Sequence, residues 1–182
     1  RHATSKVRNL DDLDSISTLG FRGEALPSIA AVASVEVATC ATGETAGTII
    51  TLERGAVTDQ KGQGRSPGTT ITARNLFREI PARLKFLKSM GTESSHIANV
   101  VTQYALAYPA VKFTLLADGK VVVRTPGIGK LQDAITGIYG AETAQNMLEI
   151  NGEGVHWGQG PSAEIQVTGM VGAPECGDVM KL

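Results

Sequence analysis

The sequence predicts an α+β protein built in two parts. Three observations carry this reading. Short β-branched runs recur between residues 35 and 72, apolar side chains recur at helical spacing between 97 and 108, and Asp118-Gly119 sits between two further apolar runs. Period-two and β-branched runs bounded by turn residues mark strands, while an i, i+3, i+4, i+7 stripe marks a helix. An Asp-Gly pair between apolar runs marks a hairpin, because both turn residues must adopt positive φ.

Along the chain, Gly23 to Ala33 predicts a helix with Leu26, Ile29, Ala30 and Ala33 on one face, Pro27 being tolerated near its first turn. Val35–Thr39 and Thr48–Leu52 predict strands, and a turn at Arg54-Gly55 leads to Val57-Thr58, which makes a β meander. Residues 61–68, KGQGRSPG, hold three glycines and a proline and predict an exposed loop. Thr69–Thr72 resumes as a strand. A helix is expected from Pro81, at its N1 position, to Lys88, with Gly91 as its stop. A second is expected from Thr92, with Ile97, Val100, Val101, Tyr104 and Tyr108 along one stripe and Pro109 as its end. A domain boundary is expected there, dividing the chain into 1–109 and 110–182. The second part predicts a hairpin from Val111–Leu116 and Lys120–Arg124, then a helix from Lys130 to Tyr139 closed by Gly140. A strand at Met147–Ile150, a Gly-rich connection at 152–160 and a strand at Glu164–Val171 complete it.

Composition narrows the function classes. Hydrophobic residues make up 42 % of the 182 and charged residues 19 %, an ordinary globular balance with length enough for a core. The net charge of −1 offers no global attraction for a polyanion, so any nucleic-acid contact must come from a local patch. Cys40 and Cys176 have no ligand-type spacing, which leaves a zinc site or disulfide framework unsupported and a reducing compartment as the default. No apolar run reaches the roughly 18–20 residues that span a bilayer. The chain opens on Arg1-His2-Ala3 without an initiator methionine or a signal-like segment, and so reads as a piece of something longer.

Three runs carry chemistry. In Gly20-Phe21-Arg22-Gly23-Glu24-Ala25-Leu26, two glycines three apart precede a helix. Glycines admit positive φ and leave backbone N–H groups open to an anion, and Arg22 adds a forked cationic donor. Taken alone, such a run more often merely reverses the chain. In Thr4-Ser5-Lys6, hydroxyls stand beside a lysine, which suits phosphate; alone it reads as an exposed basic loop. Gly68-Thr69-Thr70 is weaker, since such runs begin many strands. The third run holds Arg74, Arg78, Arg83, Lys85 and Lys88 against Glu79, and suits a DNA backbone. The same run carries Leu76, Phe77, Leu84, Phe86 and Leu87, which are expected in a core, so a solvated basic face competes with a DNA site. The glycine loop edged by Lys61 and Arg65 is a further, lesser DNA candidate. No Ser-His-Asp order or Cys-His pair supports nucleophilic catalysis.

Order and wording together say more than any run alone. RHATSK, then TLGFRGEALPSIA, then GTTI, then NLFREIPARLKFLK closely resembles the MutL family, of the GHKL group of ATPases, densely over residues 1–110 and more loosely beyond. The resemblance implies a partial Bergerat-type α/β sandwich followed by the start of a ribosomal-protein-S5-like transducer domain. It implies that Thr4, Ser5 and Lys6 lie near ATP, that Gly20, Phe21, Arg22 and Gly23 wrap the triphosphate, and that Thr69 lies toward the base end of the pocket. It further implies ATP and Mg2+ as cofactors of the parent protein, dimerisation on ATP, and mismatched DNA and a MutS-type recognition protein as partners. It also implies a cytoplasmic, nucleoid-associated setting in a bacterium. The family's general-base glutamate, magnesium-binding asparagine and adenine-reading aspartate come from upstream of RHATSK, and a phosphate-sensing lysine from beyond residue 182. The expectation is therefore a phosphate grip without turnover, with no catalytic or metal-ligating residue in this chain. Two alternatives stand beside it. One is a non-catalytic DNA-binding or partner-interaction module acting through Arg83, Lys85 and Lys88, and the other is another GHKL member such as a topoisomerase subunit.

Overall fold

A computed structural model describes residues 4–7, 9–16, 18–20, 22–152 and 167–174. The chain divides into two compact units, Arg1–Leu87 and Lys88–Leu182. The division falls before the helix at 90–107 rather than at Pro109, because that helix packs on elements that follow it.

The first unit is an antiparallel meander with one short helix against it. After a 3-10 turn at Asp11–Ser15 comes α1, Ala25–Ala30, then β1, Ser34–Cys40, β2, Ala46–Glu53, β3, Ala56–Gly64, and β4, Gly68–Arg74. The sheet order is β3-β2-β1-β4. β1 lies inside, its Val37 opposite Ile50 of β2 on one side and Ile71 of β4 on the other. Ala30, Ala33 and Val35 form the buried centre, with Val37 and Leu52 packed on it. The alanines matter because a residue without bulk beyond Cβ lets the helix approach the sheet closely. Arg54 and Gly55 both take positive φ, at 51° and 76°, which is what a tight β2–β3 turn with the strands' own twist requires.

Two expectations for this unit change. The loop foreseen at 61–68 is only half a loop, since Lys61–Gly64 continue β3 and Gly64 pairs with Ala46. Backbone pairing with β2 needs no side chain, and the strand is exposed throughout, so no burial pattern announced it. The helix foreseen over 81–88 is one turn, α2, Pro81–Leu84. Of the apolar residues expected in a core there, Phe77 is half-buried, Leu76, Leu84 and Leu87 are exposed, and Phe86 is 85 % exposed.

The second unit begins with α3, Met90–Ala107, followed by β5, Thr114–Ala117, and β6, Lys120–Arg124. Then come α4, Leu131–Tyr139, α5, Ala141–Gln145, β7, Met147–Gly152, and β8, Val167–Gly172. The pairs β5-β6 and β7-β8 are separate two-stranded sheets, and α3 packs on α4 and the β5-β6 hairpin. Asp118 and Gly119 take φ of 50° and 76°, as the hairpin signal demands. Val111–Phe113 precede the strand rather than opening it. There Thr125, fully buried, is held by paired bonds: Phe113 N donates to its Oγ1 and its own N donates to Phe113 O.

Gly91 is not a stop but part of the first turn of α3. Ser89 is the N-cap, its Oγ accepting from Thr92 N at 3.3 Å, and Glu93 Oε1 accepts from Lys88 N at 2.9 Å. The foreseen apolar stripe is present, yet Ile97, Val100, Tyr104 and Tyr108 are exposed, and the fully buried residue of α3 is Ala105. α5 had no forerunner in the sequence reading, because Gly140, at φ 90°, ends α4 and starts α5 at once. The Gly-rich connection beyond 152 and the first residues of the foreseen strand at 164–171 lie outside the described residues.

Candidate functional site

The site begins with the approach to α1. Thr18 Oγ1 donates to Gly20 O at 3.0 Å, and Gly23 takes φ +63°, a left-handed turn that glycine adopts without Cβ strain. A Cβ at Gly20 would meet nothing within 4 Å, so the backbone there faces open space. At the other wall, Lys6 N donates to Thr4 Oγ1 at 3.1 Å, which curls Thr4-Ser5-Lys6 on itself.

These two runs line one cavity of about 610 Å³, in which Thr4, Ser5 and Lys6 face Gly20, Arg22 and Gly23. Leu19, Glu24, Ala25, Leu26, Pro27 and Ser28 complete the lining. Two runs some fifteen residues apart in sequence thus converge, with an ammonium and a guanidinium on one opening. Such a set can hold an oxyanion by charge-assisted hydrogen bonds. α1 has only six residues, so its dipole is a minor contributor beside the two cations. Glu24, which nothing in the sequence marks as a general base, and Ser28, which the sequence does not single out, join the lining from the N-cap and body of α1.

Other candidates are placed differently. Thr69 is on β4, and its hydroxyl is 2.8 Å from the Thr39 hydroxyl across the sheet, away from the residues that line this cavity. Phe21 lies outside the described residues. Arg83 and Lys85 are exposed in the first unit, and Lys88, also exposed, opens the second. The Arg83 guanidinium carbon lies 5.5 Å from the centroid of the Phe77 ring, a cation–π contact that steadies it. Arg54 pairs with Glu79 at 3.4 Å. Arg65 is a correction to the sequence reading, because its guanidinium is already engaged by Ala38 O and by Thr70 Oγ1 and is not free at a loop edge.

Among the described residues, no group of three His, Cys, Asp or Glu side chains could hold a metal ion, and no helix is long and apolar enough to cross a membrane. Cys40 is a buried free thiol, and Cys176 lies outside the described residues.

No family model matches the chain. Curated sequences do. Over 175 residues, 96 % of the chain, it is 46 % identical to the DNA mismatch repair protein MutL of Streptococcus thermophilus. It is 42 % identical to that of Streptococcus uberis and 41 % to that of Macrococcus caseolyticus over the same share. The chain spans about a quarter, 26 %, of the length of the first of these relatives. Among solved structures, it resembles the N-terminal domain of a DNA repair protein with a TM-score of 0.71 at 25 % identity, covering 85 % of this chain and 49 % of that one. It also resembles the Aquifex aeolicus MutL ATPase domain complexed with ADP, with a TM-score of 0.64 at 25 % identity, covering 85 % of this chain and 62 % of that one. The mixed α/β fold is that of MutL ATPase domains, and over the matched residues the chain belongs to the MutL family.

Proposed function

We propose that this chain forms the phosphate-gripping part of an ATP-operated switch in DNA mismatch repair. In the parent protein that switch binds and hydrolyses ATP, dimerises on ATP, and couples mismatch recognition by a MutS-type protein to repair of DNA. The observation that carries the reading is the convergence of Thr4, Ser5 and Lys6 with Gly20, Arg22 and Gly23 on one cavity. The ADP complex among the structural neighbours supports a nucleotide as the ligand. Division of the chain into an ATPase portion and the start of a transducer domain belongs to the same proposal, as does a cytoplasmic, nucleoid-associated setting.

ATP suits the residues present. Lys6 and Arg22 neutralise phosphate oxygens, Ser5 and Thr4 offer hydroxyls, and the open backbone at Gly20, with the left-handed turn at Gly23, suits the approach of N–H groups. Phe21 completes this run in sequence, and Thr69 is assigned to the far end of the pocket on the resemblance alone. Mg2+ is assigned to the parent protein on the resemblance, and among the described residues no three His, Cys, Asp or Glu side chains cluster to hold it. On the family resemblance alone, the chain by itself is a binder that does not turn ATP over.

Titration of the chain with a fluorescent ATP analogue tests this. Lys6→Ala and Arg22→Ala should each weaken binding about tenfold, the cost of one charge-assisted contact to phosphate at an open site. Unchanged affinity in both variants sinks the reading. Steady phosphate release by the chain would refute its silence.

A second reading has its own support. Arg83, Lys85 and Phe86 are exposed close together in sequence, a set suited to a nucleic-acid backbone or a partner protein. If it holds, replacing Arg83, Lys85 and Lys88 by Ala weakens DNA retention without nucleotide, equally for all sequences. The slope of log affinity against log salt should then flatten by about 0.9 for each duplex phosphate contact removed.

A further inference from the structure

We propose that Thr18 is a positioning residue for the phosphate grip, its hydroxyl holding the Gly20 carbonyl off a bound polyphosphate. The proposal rests on the reading of the cavity beside α1 as a nucleotide site. Thr18 Oγ1 donates to Gly20 O at 3.0 Å, across the single intervening residue Leu19. Gly20 and Leu19 line the cavity, and Thr18 is not among the described residues that do. The carbonyl is therefore claimed by a side chain outside the lining.

Gly20 is a place where the backbone needs a tether. It stands ahead of α1, which begins at Ala25, with the left-handed turn of Gly23 between them. It has no side chain to pack, a Cβ there would meet nothing within 4 Å, and the Leu19 side chain before it is exposed. Glycine has the widest choice of backbone angles, so an untethered peptide at this point can rotate. A carbonyl turned inward would set a partial negative charge against the phosphate oxygens that Lys6 and Arg22 attract. Bonded to Thr18, the carbonyl is turned aside and its charge is met by the hydroxyl proton. Threonine suits the task, because Ser and Thr hydroxyls clamp main-chain groups close by in sequence. Its branched Cβ also restricts χ1, so less rotamer freedom is lost on making the bond than serine would lose. Serine can still form the bond, whereas valine, of nearly the same shape, cannot. Thr18 thus acts through Gly20 and does not itself touch the ligand.

Competition of ATP, ADP and AMP against a fluorescent ATP analogue, on the unaltered chain and on Thr18→Val, Thr18→Ala and Thr18→Ser, tests the proposal. Thr18→Val and Thr18→Ala should each bind ATP about fivefold more weakly, the worth of one hydrogen bond. Thr18→Ser should stay within about twofold of the unaltered chain, since it keeps the donor. The loss in Thr18→Val should shrink from ATP to ADP to AMP, because an inward carbonyl repels in proportion to the charge it faces. A merely structural role would weaken all three nucleotides alike and would shift urea unfolding, which should superimpose for all four proteins. Lys6→Ala, measured alongside, separates this proposal from the reading beneath it. If Lys6→Ala weakens ATP and Thr18→Val does not, the positioning role is overturned and the nucleotide site stands. If the unaltered chain binds no analogue, or neither variant weakens it, both are overturned. Equal losses for ATP and AMP, or a Thr18→Ser variant as weak as Thr18→Val, also overturn the positioning role.

Discussion

At the scale of residues, a side chain's chemistry says what it can do and its surroundings say what it does. Arg65, beside glycines and a proline, looks like a free cation for DNA. In the fold its stem lies over Gly47, where an added Cβ would meet Arg65 Cγ at 2.8 Å, and its guanidinium bonds Thr70 Oγ1 at 3.2 Å. Arg65→Ala should therefore destabilise the first unit by about 1–2 kcal/mol, through lost packing and hydrogen bonds, and leave DNA retention unchanged; urea unfolding and filter binding read the two. Gly127 is a second case. Its φ is +75°, and a Cβ there would press on the backbone of Lys112, with Lys112 Cα at 2.7 Å. Gly127→Ala should cost about 2 kcal/mol or more, since strain and overlap add. A loss below about 0.5 kcal/mol in urea unfolding would contradict that account. Neither role is legible in sequence, because both depend on contact with residues far along the chain.

At the scale of elements, signals that act locally were readable and those that compete were not. The Asp118-Gly119 hairpin, the end of α4 at Gly140 and the strands β1, β2 and β4 follow from turn φ values and side-chain alternation. The junction of α2 and α3 was misread because two signals compete there. Gly91 suggests a stop, yet Ser89 and Glu93 together cap a new helix, and a first-turn glycine costs little beside a satisfied cap. Ser89→Ala should lower the stability of the second unit by about 1 kcal/mol, and Ser89→Asp should preserve it. Circular-dichroism melts that leave Ser89→Ala unchanged would show that the cap is idle. β3 was half missed for the opposite reason, since an exposed edge strand rich in glycine has pairing but no burial to signal it.

At the scale of the whole molecule, apolar surface is left uncovered in each unit. In the first, Leu26, Val37, Ile50, Leu52 and Val57 line a groove of about 600 Å³ between α1 and the sheet. In the second, Ile97, which is 53 % exposed, lies with Val100, Tyr104 and Tyr108 on the bare side of α3, the two tyrosine rings stacked at 6.4 Å. The native chain should therefore bind an apolar dye such as ANS without unfolding, and Ile97→Lys should reduce that binding while changing stability by less than about 0.5 kcal/mol. Dye binding that appears only on denaturation would contradict this. If the cavity by α1 takes ATP, ligand at a hundred times its dissociation constant should stabilise the first unit by about 2.7 kcal/mol, read as a rise in its melting temperature. The Arg22→Ala variant should lose most of that rise.

The α+β class, the meander, the hairpin and the wording that resembles MutL were all present in the sequence, because each is written in adjacent residues or in their short-range period. The sequence also placed Thr4, Ser5, Lys6, Gly20, Arg22 and Gly23 in the runs that carry phosphate chemistry. Only the tertiary structure decided that these runs share one cavity, that the Thr69 hydroxyl meets that of Thr39, and that Arg65 serves the sheet. It also decided that the stripe of α3 faces outward and that, among the described residues, β3 is an outer strand of its sheet. The reason is physical: a residue's type and spacing set which face it occupies, but what covers that face comes from another part of the chain or from another molecule.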